Sequence, residues 1–198
     1  MDINEPAVLT HHPAASIRPL TVQDYHRMGE AGIFAENERV ELIEGQLIAM
    51  SPIGSPHFAA VNTLNRLLMR SVADRAIVSV QNPVRLNDRS EPEPDLALLR
   101  PRDDSYRLAL PGPADVLLII EVAATSIDYD RGVKSALYAR HGIPEFWIVN
   151  LDLARVEVHR SPDLNRASYS SCSHVDAGGT LEVPSLPGVV ISAAPIFG

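Results

Sequence analysis

Val116-Leu117-Leu118-Ile119-Ile120-Glu121-Val122 is the stretch on which the fold turns. Five apolar residues run into a glutamate and out again into valine, between Pro111-Gly112-Pro113 and Thr125-Ser126. A continuous apolar run bounded by turn residues reads as a central strand buried on both faces. A carboxylate at the end of such a strand is costly unless a cation, a hydrogen-bond network or a proton compensates it.

Working outward, Glu91-Pro92-Glu93-Pro94-Asp95 opens the apolar run Leu96-Ala97-Leu98-Leu99, so a second strand begins with Asp95. Downstream, Asp130-Arg131-Gly132-Val133-Lys134 starts a helix. The chain has 17 Lys+Arg, of which Lys134 is the only lysine. A composition that uses arginine for every other cation marks Lys134 as a place where a compact three-donor ammonium is wanted and a planar fork is not. Two carboxylates at the ends of neighbouring strands can hold a hard divalent cation such as magnesium or manganese. A nearby ammonium can stabilise charge developing on a phosphate, or orient an attacking water and help to deprotonate it. On spacing alone a structural arrangement is equally open: an Asp130–Lys134 helix pair, with Asp95 and Glu121 capping strand ends.

Composition narrows the class. At 198 residues, 45% hydrophobic and 21% charged, the chain has the makings of an ordinary globular domain. No apolar run approaches the roughly 20 residues that cross a bilayer, and no basic-then-apolar leader stands at the N-terminus. Cys172 is the one cysteine, which excludes an internal disulfide and multi-cysteine zinc sites. The cytoplasm is the expected location. A net charge of −8 argues against a broad basic surface for nucleic acid, though not against a local patch or a metal-neutralised site.

Residues 1–16 read as a flexible tail, with His11-His12 solvated, and 17–198 as one domain. Thr21 to Asp24 resembles a capping box and starts a short helix. Arg39 to Met50 reads as a β-hairpin turning at Glu44-Gly45, with Glu41 inside a strand and pointing to solvent on the simplest account. Ser55 caps a helix with Pro56 at its first position. Leu64, Leu67, Leu68 and Val72 give its packed spacing, and Arg66 and Arg70 share its outer face. That pair reads as a solvated face or, more sharply, as phosphate contacts. His57 lies in the first turn. Strands follow at 77–80, 84–86, 95–99 and 116–122. The helix from about Tyr129 to Arg140 packs Val133, Ala136 and Leu137, while Asp130, Lys134 and Tyr138 form a second row. Phe146 to Val149 is another buried strand, and Arg155 to His159 a strand with one wet face. The remainder is β structure punctuated by Ser, Gly and Pro.

The pattern Pro94-Asp95 … Glu121 … Lys134 resembles the PD-(D/E)XK nucleases. The surrounding text is closest to one branch, the Uma-type putative restriction endonuclease family. The matching residues are Glu41 to Gly45, Ser51-Pro52 with His57, Pro94-Asp95-Leu96, Glu121-Val122, Ser126, Asp130 to Lys134, Tyr138 to Arg140, Gly142 to Val149, and Leu186-Pro187-Gly188. The resemblance implies an α/β (α+β) restriction-endonuclease-like core: a mixed sheet flanked by helices, with extra N- and C-terminal strands. It implies Asp95 and Glu121 as ligands of magnesium or manganese, and Lys134 as the catalytic cation. Two residues after Glu121, where the superfamily has lysine, this chain has Ala123; the resemblance places the lysine in the next helix instead. Glu41, His57, Asp130 and Tyr138 are implied to line the same cleft. A metal-dependent endonuclease acting on DNA as a homodimer is the expected function. A nuclease-like module that binds nucleic acid or protein without cutting, and a hydrolase of small phosphoesters, are the alternatives.

Overall fold

The structure, a computed structural model, describes residues 17–198. The tail and its His11-His12 pair lie outside the described residues. The chain runs α1 (Val22–Glu30), a hairpin of β1 (Val40–Ile43) and β2 (Gln46–Ala49), α2 (Ser55–Val72), β3 (Ile77–Val80), β4 (Leu96–Leu99) and β5 (Val116–Ala123). A helical segment follows in three parts: α3 (Ile127–Tyr129), a π-helical turn (Asp130–Lys134) and α4 (Ser135–Arg140). Then come β6 (Glu145–Asn150), β7 (Arg155–Asp163), β8 (Ser168–Asp176), β9 (Thr180–Glu182), β10 (Val190–Ser192) and α5 (Ala194–Phe197).

Six strands form one mixed sheet in the order β3-β4-β5-β6-β7-β8. Only β5 and β6 pair in parallel, because the helical segment between them carries the chain back across the sheet. The β1–β2 hairpin and the β9–β10 pair are the additional N- and C-terminal strands. Every residue of β5 is buried, as its sequence requires.

Strand alternation divides the core. Leu96, Leu98, Leu118, Ile120 and Val122 face α2, β9, β10 and α5. Ala97, Leu99, Ile119 and Ala123 face α4 and the hairpin. Glu121 therefore belongs to the second face. Leu96 lies opposite Ile120 in the ladder, so the next position outward sets Asp95 beside Glu121 on that same face.

The structure departs from the sequence reading in several places. Val84 to Leu86 form no strand. The Val84 and Leu86 amides donate to the carbonyls of Pro92 and Ser90 in one neighbouring segment, but the Arg85 amide donates elsewhere, to Pro111, and Pro92 has no N–H to return, so no ladder extends. The N-cap of α2 is Gly54, with no side-chain cap bond; Ser55 is already helical. Val133 is 44% exposed instead of packed. The π turn widens the helix there and directs Asp130 and Lys134 inward while Val133 turns out. The polar face of β7 is not wet, since Glu157 is buried against Arg131.

Candidate active site

Asp95, Glu121 and Lys134 border one cavity of about 350 Å³, joined by Glu41, His57 and Asp130. Five separate parts of the chain supply these six residues. Asp95 immediately precedes β4, Glu121 sits in β5, and Asp130 and Lys134 bracket the π turn. Glu41 comes from β1, and His57 from the first turn of α2.

Hydrogen bonds fix them. The backbone amide of Asp95 donates to Glu121 Oε2 at 3.2 Å, and that of Val122 donates to Asp95 Oδ2 at 2.9 Å. His57 Nε2 lies 2.9 Å from Asp95 Oδ2. The Gln81 amide reaches Asp95 Oδ1 at 3.3 Å. Lys134 Nζ donates to Glu41 Oε2 at 2.7 Å and to Glu121 Oε1 at 3.2 Å. The Tyr138 hydroxyl donates to Glu121 Oε1 at 2.7 Å. Ser126 donates to Asp130 Oδ2 at 2.7 Å, and the Glu93 amide donates to Glu41 Oε2 at 3.1 Å.

Glu41 thus points into the protein, at 2% exposure, and not to solvent. The hairpin turn at Glu44 and Gly45 (φ 50° and 80°) sets the strand register that turns it inward. Tyr138 is fully buried behind Glu121. Arg66 and Arg70 stand apart from the cluster, exposed along the outer face of α2.

Charge is unbalanced. Glu41, Asp95, Glu121 and Asp130 surround a single lysine. Burial pushes Glu121 up to about 8; Lys134 lowers it, while Asp95, Asp130 and Glu41 raise it further. Burial likewise pushes Asp130 up to about 6, against the Ser126 hydrogen bond and Lys134. Burial alone would discharge Lys134, but Glu121 and Glu41 hold it protonated. The Tyr138 phenol is held protonated by burial first and by Glu121 and Glu41 next, which keeps it a donor.

Sequence reasoning did not single out three contributors. Gln81 follows β3 in a left-handed conformation (φ 49°) and reaches Asp95. Tyr129 lines the cavity, and its buried hydroxyl has no hydrogen-bond partner. Arg39 also lines the cavity, 3.7 Å from Glu93. None lies in a periodic pattern, and only the adjacency of Tyr129 to Asp130 gave a signal.

The residues suit a hard divalent cation. Two carboxylates face one space in a cluster with surplus negative charge, and Asp95 Oδ1 accepts only the long bond from Gln81. Among the described residues no group of three or more His, Cys, Asp or Glu stands in ligand geometry. Two protein carboxylates with the rest of the shell from water and substrate is the arrangement magnesium favours.

A family profile described as "Putative restriction endonuclease" (Uma2) matches residues 22–194. A crystal structure of a putative nuclease belonging to DUF820 from Anabaena variabilis is similar in fold. Its TM-score is 0.69 at 18% identity, over 90% of this chain and 98% of that one. No curated protein matches.

Proposed function

Because the chain belongs to the Uma2 family of putative restriction endonucleases, we propose that it is a metal-dependent nuclease hydrolysing DNA phosphodiester bonds at the Asp95–Glu121–Lys134 cluster. The observation that carries this reading is the convergence of two strand-end carboxylates and the chain's only lysine in one cavity. Asp95 and Glu121 would hold magnesium or manganese. Bound there, such an ion supplies Lewis-acid polarisation of a phosphoryl oxygen.

The chain's own residues do the rest. His57 and the Val122 amide orient Asp95, and Tyr138 and Lys134 orient Glu121. Lys134 stays charged and offsets negative charge developing on the phosphate. Glu41 keeps the ammonium in place. Hydrolysis joins a water oxygen to phosphorus as the bond to the leaving oxygen breaks, and that oxygen takes up a proton. Among the described residues no helix is long and apolar enough to cross a membrane. Homodimer assembly and a cytoplasmic location belong to the same proposal; a light-scattering mass near the 21.6 kDa of one chain would remove the dimer.

The test is incubation with plasmid and oligonucleotide DNA in manganese, magnesium or chelator. Metal-dependent cleavage that Asp95→Asn and Glu121→Gln abolish supports the reading. Cleavage that survives chelator or both substitutions rejects it.

A further inference from the structure

The cavity has two unlike zones. Glu41, Asp95, Glu121 and Lys134 form its buried floor, each at most 8% exposed. Met50, Pro52, Ile53 and Pro56 form a largely apolar rim. Ile53 is 40% exposed, on the segment that leads into α2. Phe58 follows within the first turn of α2 and is 64% exposed. Among the described residues no other Phe, Tyr or Trp is exposed. Single exposed apolar residues are unremarkable, but Pro52, Ile53 and Pro56 are exposed together at the mouth of a polar cavity, with Phe58 one residue beyond the cavity-lining His57, and such a patch marks a binding surface. Beyond Phe58 the outer face of α2 carries Asn62, Arg66 and Arg70, all exposed.

A nucleotide in a chain has the same two zones: an anionic phosphate and a flat, largely apolar base. Paired bases keep their faces stacked inside a helix, where an aromatic side chain cannot reach them. Unpaired bases offer those faces, and aromatic platforms bind them with little regard to sequence. Size and charge agree. A cavity of about 350 Å³ lies at the small end of the ~300–1,000 Å³ that accommodate single small ligands. A net charge of −8 gives no broad cationic surface for the phosphate backbones of a duplex.

Resting on the nuclease reading, we propose that the substrate is an unpaired strand. One phosphate sits over the acidic floor, the adjoining base stacks on Phe58 beside Ile53, and the backbone continues past Arg66 and Arg70.

The test uses the full chain with manganese and one oligonucleotide sequence presented as a single strand, as a full duplex and as an unpaired flap on a duplex. The single strand and the flap should be cut at least about tenfold faster than the duplex. Phe58→Ala should lower kcat/KM on the single strand roughly tenfold, the effect of losing one stacking platform. The metal-induced rise in Tm should be unchanged, because Phe58 is exposed and its ring carries no atom that could ligate the metal. An abasic nucleotide beside the cut should make wild type and Phe58→Ala equal. Equal cutting of duplex and single strand, or full activity of Phe58→Ala, overturns the inference and leaves the nuclease reading standing. Hydrolysis of bis(p-nitrophenyl) phosphate without any oligonucleotide cleavage overturns the inference and the nuclease reading together, in favour of a hydrolase of small phosphoesters. A dimer in light scattering that Phe58→Ala converts to monomer assigns Phe58 to a self-interface and also overturns the inference. If nothing is cut, fluorescence anisotropy with the labelled single strand decides. Binding that Phe58→Ala weakens upholds strand recognition and rejects the nuclease; no binding rejects both.

Discussion

Lys134 Nζ stands 2.7 Å from Glu41 Oε2 although 93 residues separate them in sequence. Both side chains are at most 4% exposed. The contact ties the N-terminal hairpin to the π turn across the cavity that holds Asp95 and Glu121. It also fixes the charge state of the lysine. Breaking a buried pair by removing one partner typically costs about 3–5 kcal/mol, because the other charge is left stranded. Lys134 keeps its pair with Glu121 at 3.2 Å, so Glu41→Ala should lower unfolding free energy by at most about 3 kcal/mol in urea titration. Glu41→Gln retains an acceptor for Lys134 and for the Glu93 amide and should cost markedly less. Equal losses for the two would show that the hydrogen bonds at Glu41 are not what matters.

Metal and lysine can be separated experimentally. A cation that binds only the folded state raises Tm by mass action. Millimolar manganese or magnesium should raise Tm of the wild type, and neither Asp95→Asn nor Glu121→Gln should respond, since a neutral amide is a poor ligand for a hard ion. Lys134→Ala should keep the shift or enlarge it, because one positive charge has left the site. Its cleavage rate should fall by about 10²–10³, the usual effect of removing one electrostatic stabiliser. Lys134→Arg should not restore the rate, since the planar fork does not fit between two carboxylates placed for an ammonium. A wild type whose Tm ignores both metals refutes the metal site.

The surplus of carboxylates gives metal-free protein an unusual pH profile. Glu121 lies at about 8 in the folded state against an ordinary 4.5, and Asp130 at about 6 against 3.8. Both are raised, so the folded state holds these protons more tightly than the unfolded chain. Their contribution is fully present below pH ~4 and is lost as pH climbs through about 6 and about 8. In chelator, Tm should fall between pH 5 and 9 by more in the wild type than in Glu121→Gln. Magnesium should stabilise the wild type most at the alkaline end. A Tm in chelator that rises steadily across this window would contradict the assignment.

Much of the fold was legible because one signal dominated it. Val116 to Val122 could be buried only as a central strand, and Asp95 and Glu121 followed as neighbours once the strand before it was recognised. Lys134 is marked in the sequence by being its only lysine. Strand pattern alone leaves Glu41 facing solvent, because one strand cannot tell which of its faces is buried; that depends on Lys134, far along the chain, and the resemblance alone puts Glu41 in the cleft. Val133 was misread because a 3.6-residue period does not foresee a π turn. Val84 to Leu86 have strand composition, but their amides find three separate acceptors, and such pairing is invisible to local pattern.

The hairpin turn offers a last prediction. Gly45 has φ 80°, in the left-handed region where a Cβ clashes with its own backbone. The surroundings are closed as well: a Cβ on Gly45 would lie 2.4 Å from Pro19 Cβ and 3.0 Å from the Leu20 carbonyl oxygen. The backbone cannot retreat easily, since the Gly45 amide donates to the Arg89 carbonyl at 2.7 Å and its own carbonyl accepts from the Leu20 amide at 2.9 Å. Left-handed strain of ~1–2 kcal/mol and overpacking of ~1–3 kcal/mol should act together. Gly45→Ala should thus destabilise the protein by about 3 kcal/mol in urea unfolding. The turn sets the register that turns Glu41 inward, so the same variant should loosen Lys134. Cleavage should fall further than the unfolded fraction alone accounts for, while Asp95 and Glu121, carried by the central sheet, should still give a metal-induced rise in Tm. An unfolding free energy within about 0.5 kcal/mol of wild type, the range of an ordinary surface substitution, would mean the hairpin turns by another route. The hairpin could then no longer explain how Glu41 reaches Lys134.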